Sequence, residues 1–334
     1  MNQMRRVPQE SRGKKKNNRY KVIYVGTGEI GVPTLATLLN SRKYRVQAVI
    51  TQPDRPADRS LTLRPPAPKI LALERGIPVL QPEKLQVDLQ AISALEPDLI
   101  VTMAYGQILP REILQLPKVA CLNIHPSLLP RHRGAAPIHA TLLCGDTETG
   151  VTIIYMSSEL DSGDILLKEA LTITYRETNG HLQERLSKMA PHTLVRALHL
   201  LESGAATRLP QDSTLATYSH RLTKQDARLF WTEKADLLDR RVRAMDPWPG
   251  AFCLWRKNGK DSKRLRILEA EPREEREDIE RIPGEVLSVN KEGITVQCFG
   301  SSLLLQRVLP EGKCSMLATE FAMGYRVQVG DILG

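Results

Sequence analysis

From residue 20 to about 202 the sequence alternates short apolar runs with stretches of helical period, and that rhythm restricts the fold to a largely parallel sheet flanked by helices. Lys21 to Val25, Val46 to Thr51, Leu99 to Met103 and Val119 to His125 are expected as strands. The stretches near Thr34 to Asn40, Lys69 to Arg75, Asp88 to Leu95 and Ile138 to Cys144 are expected as the helices between them. Val151 to Met156 and Asp164 to Ile173 should extend the sheet antiparallel, and Asn179 to Leu201 should close it as a long amphipathic helix. The expected class is α/β, doubly wound.

Beyond a polar stretch from Ser203 to about Tyr218, which contains Gly204 and Pro210 and has no period, the pattern changes. Asp236 to Ala244 keeps helical spacing. Ala251 to Arg256, Leu265 to Ala270, Gly284 to Val289, Ile294 to Cys298, Leu303 to Val308 and Val327 to Ile332 are short β-like runs, with turns at Asn258-Gly259, Glu292-Gly293 and Gly300-Ser301. Such spacing points to a small barrel. The 334 residues thus divide into a Rossmann-like domain over 20–202, a linker over 203–220 and a smaller β-barrel domain over 221–334, in keeping with about 150 residues per domain.

Charge is spread unevenly. Of the net +9, residues 1–21 carry eight Lys/Arg against Glu10 alone; residues 1–19, poor in apolar side chains, are expected as a disordered basic extension. A second concentration from Arg240 to Arg266, with Arg240, Arg241 and Arg243 at its start, holds nine Lys/Arg against Asp246 and Asp261. Local basic faces suit an RNA backbone, although a charge run is also what a solvated surface looks like. The five cysteines are odd in number and lack CxxC spacing, which fits free thiols in a reducing cytoplasm; Cys121 and Cys144 are expected as buried apolar positions. No run approaches the ~20 apolar residues of a membrane-spanning helix. A cytoplasmic monomer is expected.

The chemistry concentrates where the run Val119 to Leu122 ends in Asn123-Ile124-His125-Pro126. Strand alternation puts Asn123 and His125 on one face, and Pro126 stops the ladder beyond them. In an open parallel sheet that carboxyl end is where ligands bind, whereas an amide and an imidazole left unpaired in a core would each cost about 1–3 kcal/mol. The plainer alternative is that both merely cap a loop. Downstream, Asp161 sits in a glycine-containing turn after a second strand, so an amide, an imidazole and a carboxylate are available to one site. His125, His132 and His139 are evenly spaced, but Pro126, Pro130 and Pro137 intervene and helical periodicity does not apply, so no metal site is expected.

A competing motif precedes it. Gly26-Thr27-Gly28-Glu29-Ile30-Gly31 fits GxGxxG after a strand and before a helix, and Asp54 lies 23 residues beyond Gly31, as in a dinucleotide-binding turn. Asp54 is flanked by Pro53 and Pro56, a poor setting for an acid that holds a ribose, and the glycines can serve a tight turn alone.

From about residue 20 to its end the chain resembles the folate-dependent formyltransferases. The resemblance is carried by Asn123, His125 and Asp161, by Ser127-Leu128-Leu129-Pro130-Arg131-His132-Arg133-Gly134-Ala135-Ala136-Pro137-Ile138, by Thr51-Gln52-Pro53-Asp54-Arg55-Pro56, by Ala104-Tyr105-Gly106-Gln107-Ile108-Leu109-Pro110 and by Asp246-Pro247-Trp248-Pro249. The family usually has a Gly-Thr-Pro type of turn here, at Gly26 to Gly31, from which Gly28 and Gly31 depart, and Asp58, Ser60, Leu61 and Thr62 stand where it tends to have Gly and Lys. The resemblance implies that Asn123, His125 and Asp161 are catalytic in transferring a formyl group from 10-formyltetrahydrofolate to a primary amine, with no metal. Asn123 and a protonated His125 would donate to the oxyanion, each such donor worth about 2.7–4 kcal/mol of barrier. Asp161 would support His125 and relay the proton.

It further implies folate contacts from Ser127, Leu128, Leu129 and Pro130, with Tyr105, Ile108 and Leu109 as further walls, and an OB-like form for the C-terminal barrel. That extra barrel and the long loop from Gln52 to Pro68 favour an initiator methionyl-tRNA as acceptor over glycinamide ribonucleotide or a sugar amine. The RNA contacts then expected are Arg55, Arg59, Arg64, Arg131, Arg133, Arg240, Arg241 and Arg243. An RNA-binding module with a dead centre is the alternative of another class; retention of Asn123, His125 and Asp161 together argues against it.

Overall fold

The computed structural model describes residues 19–56, 62–255, 263–273 and 281–334; the expected basic extension, Arg59 and the Asn258-Gly259 turn lie outside them, apart from Arg19. The first half contains β1 (Tyr20–Gly26), α1 (Val32–Asn40), β2 (Tyr44–Ile50), α2 (Ala67–Glu74), β3 (Val79–Leu80), α3 (Leu89–Ser93), β4 (Leu99–Met103), α4 (Arg111–Leu114) and β5 (Ala120–His125). Then follow α5 (Pro137–Cys144), β6 (Glu148–Tyr155), β7 (Ile165–Thr172) and α6 (Asn179–Ser203). These strands form one sheet in the order β7-β6-β5-β4-β1-β2-β3. β1, β2, β3, β4 and β5 run parallel, and β6 and β7 are added antiparallel.

Burial explains why such uniform runs become strands. All five residues of β4 are buried, as a strand covered on both faces requires. Along β1 the side chains alternate: Val22 and Tyr24 enter a core with Leu35, Leu38, Leu186 and Leu194, while Ile23 and Val25 enter another with Ile92, Ile100 and Ile113.

The order reverses between β1 and β4, the crevice where such sheets usually bind ligands. Here the chain closes it. The amides of Thr27 and Gly28 both donate to the Ala104 carbonyl at 3.1 Å, so donors that could hold a pyrophosphate are already engaged. Tyr24 turns its ring beneath the glycine turn and its hydroxyl donates to the Gly31 carbonyl at 3.0 Å. A Cβ on Gly31 would stand 2.0 Å from that hydroxyl, and one on Gly26 2.9 Å from it. Gly26 and Gly31 are thus accounted for by an internal tyrosine, whereas a Cβ on Gly28 would stand 3.0 Å from the Ala104 Cβ.

The second half holds α7 (Ala235–Ala244), β8 (Phe252–Trp255), β9 (Lys263–Arg273), β10 (Val286–Asn290), β11 (Gly293–Cys298), β12 (Ser301–Pro310) and α8 (Ala318–Tyr325). Its strands form a separate antiparallel sheet, β8-β9-β12-β11-β10, over a core that includes Trp231, Leu238, Leu265, Val296, Leu305 and Phe321. The protein is therefore an α/β fold with a Rossmann-like N-terminal unit and an antiparallel C-terminal one.

Two expectations fail. Val327 to Ile332 forms no strand of the sheet; it contributes only an isolated bridge, Ile332 to Glu285, and Leu333 bridges to Trp255. Just before it stands α8, which the sequence reading did not anticipate: Glu320 reaches back to accept from the Leu317 amide at 2.9 Å, but Leu317 offers no capping oxygen of its own, so the usual box signature is missing. Cys144 is exposed, because α5 ends there at the surface against the left-handed Gly145; Cys121 is buried as expected.

Candidate active site

β5 delivers Asn123 and His125 to its carboxyl end, in register with Thr102 of β4 and with Ile154 and Thr152 of β6. Asp161 arrives from the loop between β6 and β7 with φ +48°, a left-handed backbone uncommon outside glycine. Its carboxylate receives three groups. Asn123 Nδ2 donates to Oδ1 at 3.1 Å, the Gly134 amide donates to Oδ2 at 2.9 Å, and His125 Nδ1 stands 3.6 Å from Oδ2. His125 is buried, and its Nε2 donates to the His132 carbonyl at 3.0 Å. A carbonyl can only accept, so Nε2 carries a hydrogen and Nδ1 faces the carboxylate. At 3.6 Å that pair is within ion-pair range without a closed hydrogen bond.

These three residues border one cavity of about 540 Å³, within the usual range for a small-molecule site. Tyr105, Ile108 and Leu109 are among its walls. Ile108 is exposed at 72%, whereas Tyr105 and Leu109 are buried, and burial pushes the Tyr105 hydroxyl up to about 12. The cavity's other walls include Ser157 to Leu160, Ala135 and Pro137, and also Ser219 and His220 from the end of the expected linker and Arg221 from the start of the expected C-terminal domain. The last three carry no period or motif that could have announced them. Their backbone gives the reason for their presence: Tyr218 and Ser219 pair in parallel with Arg133 and Gly134. Gly134 has φ +116°, and a Cβ there would stand 2.2 Å from the Ser219 carbonyl.

Ser127, Leu128, Leu129 and Pro130 do not border this cavity. Thr152 Oγ1 donates to the Ser127 carbonyl at 2.6 Å and accepts from the Leu129 amide at 3.2 Å, drawing the loop against β6. Leu129 therefore packs on Ile154 and Ile165, Ser127 is buried, and Leu128 faces a second cavity of about 410 Å³ with Arg131, His132 and Asp146.

The arginines separate by exposure. Arg55 and Arg64 are exposed and paired across a short hairpin at the base of the long loop. That base is anchored by Lys69 Nζ donating to both Asp54 oxygens at 2.9 and 2.8 Å and by Gln81 Nε2 donating to Oδ1 at 2.8 Å, contacts that hold the Asp54 carboxyl below its usual range. Arg131 is exposed and paired with Asp146 at 2.6 Å. Arg133 is buried, its guanidinium donating to Gln211 Oε1 at 2.8 and 3.1 Å. Arg240, Arg241 and Arg243 are half-buried on α7 and engaged within the chain, with the Cys144 carbonyl, with Glu233, and with Asp239 and the Glu177 carbonyl.

Among the described residues no cluster of three or more His, Cys, Asp or Glu could hold a metal ion. His132 Nε2 pairs with Asp146 at 2.7 Å, and His139 lies against Asn179 and the Trp248 carbonyl, so the three histidines do not converge. No described helix is long and apolar enough to cross a membrane.

Comparison with known proteins places the whole chain. Residues 19–198 match the formyl transferase family and residues 221–326 its C-terminal domain. The chain is 42% identical to the methionyl-tRNA formyltransferase of Geotalea uraniireducens over 316 residues, covering 94% of this chain and 98% of that protein. Its fold is similar to HypX from Aquifex aeolicus, solved with tetrahydrofolic acid (TM-score 0.58, 17% identity), where 94% of this chain spans about half, 49%, of that one. It is also similar to an N-formyltransferase from Helicobacter canadensis solved with folinic acid and dTDP-3-aminofucose (TM-score 0.61, 16% identity, 86% and 99% covered). With both of its parts matched and nearly the full length of a relative shared at 42% identity, the chain belongs to the formyl transferase family and, within it, to the methionyl-tRNA formyltransferases.

Proposed function

We propose that this protein transfers the formyl group of 10-formyltetrahydrofolate to the amino group of methionyl-tRNA, yielding N-formylmethionyl initiator tRNA for translation initiation. The observation that carries the reading is the convergence of Asn123, His125 and Asp161 on one cavity, in a chain so similar to methionyl-tRNA formyltransferases. The amine attacks the formyl carbon, the carbon–N10 bond breaks, and the amine's proton ends on N10. Asn123 spends one Nδ2 hydrogen on Asp161, and the other donates to the oxyanion of the tetrahedral intermediate. His125, with Nε2 engaged by His132, works through Nδ1, sharing a proton with Asp161, which relays it from amine to folate nitrogen.

The folate occupies the cavity walled by Tyr105, Ile108 and Leu109. Exposed Arg55, Arg64 and Arg131 contact RNA phosphates, together with Arg59 in the loop; the engaged guanidinium groups of Arg133, Arg240, Arg241 and Arg243 support a structural reading for those four. The catalytic domain is taken as residues 20–202, the linker as 203–220 and the tRNA-binding domain as 221–334. An OB-like barrel for the latter is supported by its last residues, which bond to both edges of the sheet: the Leu333 amide donates to the Gly284 carbonyl at 2.8 Å and the Gly334 amide to that of Leu254 at 2.7 Å. The protein acts as a cytoplasmic monomer.

The test is formylation by the purified chain with 10-formyltetrahydrofolate, offering methionyl-tRNA beside glycinamide ribonucleotide. Formylmethionyl-tRNA is the expected product; formylation of the nucleotide alone, or of neither, overturns the reading.

A further inference from the structure

The loop that presents Asp161 is braced from outside. It places a non-glycine residue at φ +48°, a backbone that persists only where its surroundings hold it. Its own bonds are few: Ser157 Oγ donates to the Glu159 carbonyl at 3.1 Å and lies 2.9 Å from Ser162 Oγ. The external hold comes from the linker. Gln211 Nε2 donates to the carbonyl of Asp161 and to that of Gly163, both at 2.8 Å. Gln211 Oε1 accepts from Nε and Nη2 of the buried Arg133.

A glutamine amide has two hydrogens and one oxygen with two lone pairs, and here every one is used. Turning the amide over would set its oxygen against two carbonyls and its hydrogens against a guanidinium, so only one orientation is stable. Arg133 in turn adjoins Gly134, whose amide bonds to the Asp161 carboxylate. One closed circuit, Arg133 to Gln211 to the Asp161 backbone and from the Asp161 carboxylate to Gly134, therefore fixes both ends of the aspartate. The linker is fastened beside it as well, by the reciprocal amide-to-carbonyl bonds between Leu209 and Ile165 and by Ser219 Oγ, which donates to the Arg133 carbonyl and accepts from the Ala136 amide.

We propose that Gln211 is a positioning residue for formyl transfer: through its paired bonds to the backbone of Asp161 and Gly163, the linker aims the Asp161 carboxylate at Asn123 and His125. The inference rests on the role of Asp161 proposed above. A merely structural glutamine would affect melting and the yield of active protein; a positioning one affects kcat, and only while Asp161 is there to be positioned.

The full-length chain is assayed with 10-formyltetrahydrofolate and methionyl-tRNA as wild type, Gln211→Met, Asp161→Asn and the double variant. Expected are a fall in kcat of about 10-fold or more for Gln211→Met, with both KM values within about threefold and cooperative melting retained, a larger fall for Asp161→Asn, and less than a twofold further effect of Gln211→Met in the Asp161→Asn background. Should Gln211→Met not fold, Gln211→Glu keeps a partner for Arg133 and sets an oxygen against both carbonyls, and its kcat must fall at least as far. Wild-type kcat in the Gln211 variants while Asp161→Asn is impaired overturns this inference alone, as does an undiminished Gln211 effect without Asp161. Near-normal turnover by Asp161→Asn overturns the reading of the centre itself.

Discussion

His125 gives one of its two ring nitrogens to its own loop, Nε2 donating to the carbonyl of His132 at 3.0 Å. The remaining nitrogen is the one that faces Asp161, and so the imidazole's orientation toward that carboxylate is set by a backbone carbonyl seven residues away.

Removing the amide that completes this group has a predictable cost. Asn123→Ala is expected to lower kcat by about 10²–10³-fold with a folded protein, the range seen when one oxyanion donor is lost. Steady-state formylation of methionyl-tRNA measures it, and turnover within a few-fold of wild type would exclude the amide as an oxyanion donor.

The closed glycine turn yields a stability test. Gly31→Ala introduces a Cβ 2.0 Å from the Tyr24 hydroxyl, an overpacking expected to cost about 1–3 kcal/mol. Tyr24→Phe removes that oxygen and leaves the ring carbon at 3.4 Å as the nearest contact, so the Gly31→Ala penalty should shrink in the Tyr24→Phe background. Denaturant unfolding of the two single variants and the double variant gives the coupling; simple additivity would show that the hydroxyl is not what the glycine accommodates.

The pH dependence of stability has a local source in His139. Burial lowers its pKa from the ordinary 6.5, an effect partly offset by the Trp248 carbonyl, so the fold favours the neutral ring. A depressed folded value means that the associated stability is fully present above about 6.5 and is lost as pH falls through the lowered value. Between pH 7.5 and 5, Tm should therefore fall further for wild type than for His139→Asn. Equal falls would assign the acid sensitivity elsewhere.

Arginines that look alike in the sequence should behave differently. Arg55→Ala and Arg64→Ala are expected to raise KM for methionyl-tRNA and to reduce the salt slope of binding by about 0.7–0.9 each, the signature of one phosphate contact. Arg243→Ala should instead lower Tm, because it leaves Asp239, a buried carboxylate, with one cationic partner fewer. Salt-dependent binding and melting curves on the same proteins separate the two outcomes, and an Arg243→Ala variant with unchanged Tm but a reduced salt slope would reverse the assignment.

Much of this was legible in the chain because strands such as β4 and β5 announce themselves by composition, and because Asn123 and His125 share a face by strand alternation alone. The packing of the Ser127 to Pro130 loop was not legible for a physical reason: nothing in Ser127-Leu128-Leu129-Pro130 reveals that Thr152, on another strand, holds its backbone against β6. The burial of Arg133 was equally hidden, since a basic residue in a basic context reads as surface until its partner, Gln211, is known. α8 escaped because its carboxylate cap acts without the partner residue that would complete the pattern.

The brace on Asp161 also sets an order of events during synthesis. Gln211 follows Asp161 by 50 residues, about 3–10 s of translation at about 5–20 residues per second. For that interval a nascent chain already holds Asn123 and Gly134, the partners of the Asp161 carboxylate, while the Asp161 backbone lacks its brace, so on the proposed role of Gln211 emergence of the connecting segment is the step that completes the arrangement.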